Sequence, residues 1–219
     1  YTTLFRSSAP IPPSMDYGFN DLKDPNAYNP ERSKQLLAED GWKDTDGDGI
    51  LDKDGKPLTF NFIVYNSRAE LPLYAEAVQA DLKKVGIDMK IKTVDYNLID
   101  KMGQDGDYDM LISNIVTANT GDPIWFLANY WHTNNNGSNP QNGSGYSNPQ
   151  VDQLLDAAET EFDPAKRRDY AMQIQQLLMN DGAALFLGYP KTNIVTGSYL
   201  KGAVMYPSDY YWITNKITK

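Results

Sequence analysis

The chain of 219 residues sets 20 Lys and Arg against 29 Asp and Glu, for a formal net charge of −9, with no cysteine and one histidine, His132. Without cysteine there is no disulfide framework, thiol nucleophile or Cys-type zinc site, and a single histidine excludes an HExxH zinc centre and argues against a His-based triad. The acidic balance argues against a nucleic-acid partner, which calls for basic patches, and there is no run of about 18 apolar residues to cross a bilayer as a helix. With 41% hydrophobic and 12% aromatic residues the chain can bury a core, which leaves an acidic binding protein or an enzyme working through carboxylates alone.

Residues 1–7, YTTLFRS, show no cap, period or turn that links them to the segment after them. They equal the translation of TACACGACGCTCTTCCGATCT, the end of a widely used sequencing adapter, and are set aside as an expected read artefact. Residues 8–28, with Pro10, Pro12 and Pro13, read as an extended segment. Asn29 and Pro30 supply an N-cap and a first-turn proline for a helix to about Asp40, with Leu36 and Leu37 inward and Gly41 ending it. An acidic turn region over 44–57 leads to a strand at Leu58–Tyr65, where Leu58, Phe60, Phe62 and Val64 alternate. Beyond it the pattern gives a helix from about Glu70 to Val85, stopped by Gly86, then a strand at Ile87–Val94, a short helix at Tyr96–Gly103 and a third strand at Tyr108–Val116. Strand, helix, strand, helix, strand at these lengths predicts a parallel α/β unit with both faces of its sheet covered.

After the third strand, Ile124–Leu127 reads as a short helix, and residues 132–148, rich in Asn, Gly and Ser, as a long polar loop. Asn148–Pro149 and Asp163–Pro164 cap two further helices, and Ala184–Tyr189 reads as a strand before an irregular, aromatic tail. The sequence Asp44-Thr-Asp46-Gly-Asp48-Gly, with Asp52 at the ninth position, matches the first half of a calcium loop. Its twelfth position is Gly55, where an EF-hand needs a bidentate Glu, and a strand stands in place of an exit helix. The site is therefore at most a weak structural calcium site on Asp44, Asp46, Asp48 and Asp52, with an acidic hairpin as the alternative. No other cofactor is expected. Neither Gly-x-Ser-x-Gly nor a phosphate-cradling glycine loop occurs. Ligands of open α/β sheets sit beyond the carboxyl ends of strands, which points to Tyr65–Arg68 and Val116–Asp122. Tyr65, Trp125 and Tyr189 belong to a set of Tyr and Trp residues whose apolar bodies and polar tips suit recognition.

The run NPERSKQLLAEDGWKDTDGDGILDKDGKPLTF, then AEAVQADLKKVGIDMKIKTVDY, GDYDM, GDP and YSNPQVDQLLDAA, in this order and spacing from Pro10 onward, resembles one family. It is similar to the extracellular solute-binding proteins of peptide and nickel ABC transporters, the dipeptide/oligopeptide-binding group. The resemblance implies an α/β periplasmic-binding-protein-like type II fold, with 8–185 as the second lobe and 186–219 as a C-terminal segment returning to a first lobe outside this chain. It implies a non-enzymatic, monomeric receptor in the periplasm, or on the cell surface as a lipoprotein. Such a receptor captures a peptide or another small solute and passes it to an ABC permease.

The strand ends, the aromatic set and this resemblance together give the expected ligand contacts as Tyr65, Asn66, Arg68, Asn119, Asp122, Trp125 and Tyr189. Arg68 lies near a carboxylate-binding Arg of dipeptide binders, and Tyr189 resembles a ligand-facing tyrosine. Asn119 falls where peptide binders carry an Asp for the peptide amine. An amide lacks the charge that strengthens a carboxylate–ammonium contact, so a ligand without a free amine stays open beside a free peptide. The alternative from another class is an extracytoplasmic carboxylate-dependent hydrolase on the same lobe, which requires two facing acids within roughly 10 Å at the strand ends.

Overall fold

The computed structural model describes residues 9–106, 108–117, 121–190, 194–204 and 214–219. They group into two compact units, one of Asn26–Ile115 with Thr133–Ser147, the other of Tyr1–Pro25, Val116–His132 and Asn148–Lys219 so far as these are described. Both units draw on residues 8–185, the stretch expected to form a single lobe.

The first unit is built on a three-stranded parallel sheet. Helix α1 (Pro30–Glu39) starts as its cap predicts, the Asn29 side chain accepting the Arg32 amide at 3.0 Å, with Pro30 in the first turn. Adjacent helix residues point about 100° apart, so only Leu37 meets the cluster of Leu58, Val85 and Ile87, while Leu36 stays 48% exposed. The expectation that both face inward is corrected. Strands β1 (Asp52–Lys53) and β2 (Lys56–Pro57) form an antiparallel hairpin whose turn residues, Asp54 and Gly55, both adopt positive φ, as a two-residue turn of the Asp-Gly type demands.

Strand β3 (Thr59–Tyr65) is central, with β4 (Asp88–Val94) on one side and β5 (Met110–Leu111) on the other, all parallel. Phe62, Ile63, Val64 and Tyr65 are all buried, so the strand is covered on both faces as a parallel sheet requires. Helix α2 (Glu70–Lys83) connects β3 to β4. The turn out of it passes through Gly86, whose φ of +83° and whose approach to Leu51, 2.6 Å from where a Cβ would lie, both demand glycine. A 3₁₀ turn (Tyr96–Leu98) and α3 (Ile99–Asp105) lead to β5.

The sequence predicts a third strand over Tyr108–Val116, but β5 has two residues. Its ladder is cut short at both ends by side chains. The Asp109 carboxylate takes the Asn61 amide at 2.7 Å, and beyond Ile112, whose amide still reaches the Ile63 carbonyl, the Asn114 amide donates to the Tyr65 hydroxyl at 3.0 Å rather than to a strand carbonyl.

The second unit is helical. Helices α4 (Ile124–Trp131), α5 (Pro149–Thr160) and α6 (Pro164–Asn180) pack through Phe126, Leu127, Val151, Leu155, Ala171, Ile174 and Leu178. Asn148 and Asp163 cap the last two as expected. The segment from Ala9 is held on α6 by two consecutive glutamines. Fully buried Gln175 accepts from the Ile11 amide (3.1 Å) and donates to the Tyr17 carbonyl (2.9 Å), and Gln176 pairs with both backbone groups of Lys23. Residues 184–189 are not a strand: a strand needs a paired neighbour, and only Gly188 forms a bridge there. Phe186 instead sets its ring edge-on to Trp131.

Candidate functional site

The carboxyl edge of the sheet gathers the ends of three strands. Tyr65 closes β3 and is 1% exposed, its ring meeting Tyr96 at 5.1 Å in an edge contact and its hydroxyl accepting the Asn114 amide. The Asn114 side chain donates to Glu70 at the start of α2 (3.4 Å). Enclosed in this way, Tyr65 positions the edge and presents no free surface of its own. Asn66 and Arg68, directly after it, are exposed, and Arg68 makes no ion pair among the described residues. An amide and a guanidinium at this place can recognise the oxygens of a carboxylate or a peptide group.

The other expected residues fall in the helical unit or outside the described residues. Asp122 is committed within the fold. One carboxylate oxygen takes the Ile124 amide at 2.9 Å, at the start of α4, and the other pairs with Arg167. Arg167 also donates to the carbonyls of Ala158 and Glu161 (2.8 Å to the latter), so one half-buried guanidinium joins the start of α4, the end of α5 and the first turn of α6. Burial, followed by the Asp122 charge, raises the Tyr17 phenol above its ordinary pKa. Tyr189 is half-buried, with its hydroxyl on the carbonyls of Ala9 and Ile11 and its ring edge-on to Phe19. Trp125 is 46% exposed on α4. Asn119 lies outside the described residues, as do residues 1–7.

In the acidic loop Asp44, Asp46 and Asp48 are exposed, and one carboxylate oxygen from each lies within 4.8 Å of the others. Asp44 accepts the amides of Gly47 (2.7 Å) and Gly49 (3.0 Å), Asp46 that of Asp48 and Asp48 that of Ile50. Asp52 is drawn aside to Thr45, accepting its amide and hydroxyl.

One exposed residue at the edge is missing from the expected set. In the sequence Tyr96 reads only as the start of a short helix, although the strand-end rule that singles out Tyr65–Arg68 applies equally to the residues after β4.

A three-stranded parallel sheet with cover on both faces and open polar groups at its carboxyl edge is the framework of an α/β ligand-binding lobe. The family description "Bacterial extracellular solute-binding proteins, family 5 Middle" matches residues 3–138, and the chain belongs to this family. Among curated relatives, the oligopeptide-binding protein AppA of Bacillus subtilis is 31% identical over 187 residues, 82% of this chain and 33% of its own length. The solved structure of that protein with a nonapeptide superimposes with a TM-score of 0.74 at 29% identity, covering 85% of this chain and 37% of the other. NikA from Brucella suis in complex with Fe(III)-EDTA superimposes with a TM-score of 0.72 at 27% identity, covering 86% and 37%. The fold is thus of the periplasmic-binding-protein type II class, and the chain spans about a third of the length of the curated relatives it matches. The comparisons give the hydrolase alternative no support.

Proposed function

We propose that this chain carries one side of the ligand cleft of an ABC-importer binding protein, a non-enzymatic, monomeric receptor that captures a peptide or related small solute and delivers it to a membrane permease. The observation that carries the reading is the exposed pair Asn66 and Arg68 at the carboxyl edge of a family 5 sheet, where the guanidinium is available to a ligand carboxylate. Capture works by closure, as contacts to the ligand from both lobes of the full-length protein stabilise the closed state. Asn119 in place of an acid removes the charge that would favour a free amine, so N-acetylated peptides are expected to bind as well as unblocked ones. Isothermal titration of the full-length protein with tripeptides, their N-acetylated forms, nickel chelates and oligosaccharides tests this. Saturable binding of the peptide series is the expected result, and hydrolytic turnover without stable binding would overturn it.

The Asp44–Asp48 loop is proposed separately as a weak structural calcium site. With a dissociation constant of about 10⁻⁴–10⁻³ M, 1 mM calcium would add about 0.4–1.4 kcal/mol of stability. A Tm that rises by a few degrees in calcium is expected, and equal melting in calcium and in chelator dismisses the site.

A further inference from the structure

We infer that His132 is a pH-sensitive clasp: its charged form fastens the carboxyl end of α4 to the first two turns of α5 and so closes the stem of the polar loop that joins them. The inference does not depend on what ligand the protein binds. His132 directly follows α4, its amide donating to the Ala128 carbonyl at 3.1 Å, and the loop of residues 133–147 begins after it. The ring is half-buried and meets a carboxylate at each nitrogen: Asp152 lies 3.7 Å from Nδ1 and Asp156 3.3 Å from Nε2. A neutral imidazole has a single N–H and can donate to only one of these acceptors, whereas the imidazolium donates from both nitrogens. Histidine is also the side chain whose charge ordinarily changes between about pH 5 and pH 8.

The charges around the ring favour the same form. Asp152 and Asp156 stand four positions apart on α5, where like charges repel, and a cation between them relieves that repulsion. The carboxyl end of a helix favours a cation too, and α4 has no basic residue in its last turn. Neither α4 nor residues 133–148 contain Asp, Glu, Lys or Arg, and Glu159, farther along α5, has the sign of the pair. On α6, Lys166 pairs with Glu161, Arg167 with Asp122 and Arg168 with Asp16 and Asp21, while Asp169 holds Gln173. The far stem of the loop is already on α5, where the Asn148 side chain accepts the Gln150 amide, and the Thr133 hydroxyl donates to that of Ser147 across the stem at 3.1 Å. A proton on His132 therefore holds both stems on one helix. A group that binds its proton more tightly when folded adds stability below its unfolded pKa, about 6.5 for histidine, and that stability is lost as the pH rises through the folded value.

The test uses the full-length protein with isotope-labelled histidine, the His132 signal being the one missing from the NMR spectrum of His132→Gln. The ring is expected to bind its proton about three- to tenfold more tightly in the folded protein than in the urea-unfolded chain. Asp152→Asn and Asp156→Asn together are expected to abolish that difference. The Tm of the parent is expected to exceed that of His132→Gln by a few degrees more at about pH 5.5 than at about pH 8, and the excess to shrink in about 1 M salt. Equal proton affinity in the folded and unfolded chains, or a raised affinity that survives removal of both carboxylates, would overturn the clasp. A Tm gap that is the same at both pH values would assign His132 to packing and overturn it as well. Should His132→Gln fail to fold, the histidine signal whose titration moves in the two aspartate variants identifies the ring, and a spectrum in which none moves overturns the inference.

Discussion

Gln175→Leu is expected to destabilise the protein by about 2–4 kcal/mol, although it replaces a polar residue in a fully buried position with an apolar one of similar size. The gain in apolar burial is outweighed because the Gln175 amide answers two backbone groups, the buried Ile11 amide and the half-buried Tyr17 carbonyl. An unanswered buried donor or acceptor costs about 1–3 kcal/mol each. Urea denaturation followed by circular dichroism measures the change, and a difference below about 0.5 kcal/mol would show that the Ala9–Pro25 segment is held by something else. Gln176→Leu, whose bonds to Lys23 lie at the surface, is expected to cost much less, because water can replace the lost partner.

The second large effect concerns Asp122. Its place after the third strand makes it a candidate ligand contact in the sequence, yet its oxygens are engaged by Ile124 and Arg167. Asp122→Ala is expected to lower stability by about 2 kcal/mol. That is less than the 3–5 kcal/mol of a fully buried pair broken on one side, because both side chains keep some contact with water. Asp122→Asn keeps an acceptor for the start of α4 and should lose about half as much. Unfolding curves and titrations on the same preparations separate the two roles: reduced stability with unchanged affinity fits the structural role. A lost affinity with unchanged stability would return Asp122 to the ligand.

Regular elements were legible wherever a local signal specified them. Asn29-Pro30, Asn148-Pro149 and Asp163-Pro164 each carry their own cap, and the starts of α1, α5 and α6 fall where those pairs place them. The first two strands of the parallel sheet are marked by apolar runs bounded by turns. The short third strand was not legible, because what ends it is the side-chain chemistry of Asp109 and Tyr65, residues brought together only by the fold. The strand expected at 184–189 failed for a related reason: an apolar run has the pattern of a strand, but pairing is a property of distant neighbours.

The carboxyl edge of the sheet was legible in its position, and the partners of its residues less so. Asn66 and Arg68 stand open at the expected edge, whereas Tyr65, Asp122 and Tyr189 have polar tips held by the fold itself. A sequence gives a residue's chemistry without showing which partner has already claimed it. The converse also holds. Arg167 lies in a run, Lys-Arg-Arg-Asp, that reads as a solvated helix face, and Gln175 lies in Gln-Ile-Gln-Gln, yet both organise the interior of their unit.

The bond between Ile11 and Gln175 spans 164 positions of chain, and this has a consequence for synthesis. Ribosomes deliver the chain from its N-terminus at roughly 5–20 residues per second. Nearly all of the sheet unit, Asn26–Ile115, emerges as one continuous stretch, so its strands can pair as they appear. Residues 9–25 emerge before it but meet their partner only when α6 has left the exit tunnel, on the order of ten seconds later. Until then Ala9 and Ile11, both fully enclosed in the finished fold, are apolar groups without cover. The helical unit is therefore expected to be the last to assemble and, during export or refolding, the part most dependent on protection by a chaperone.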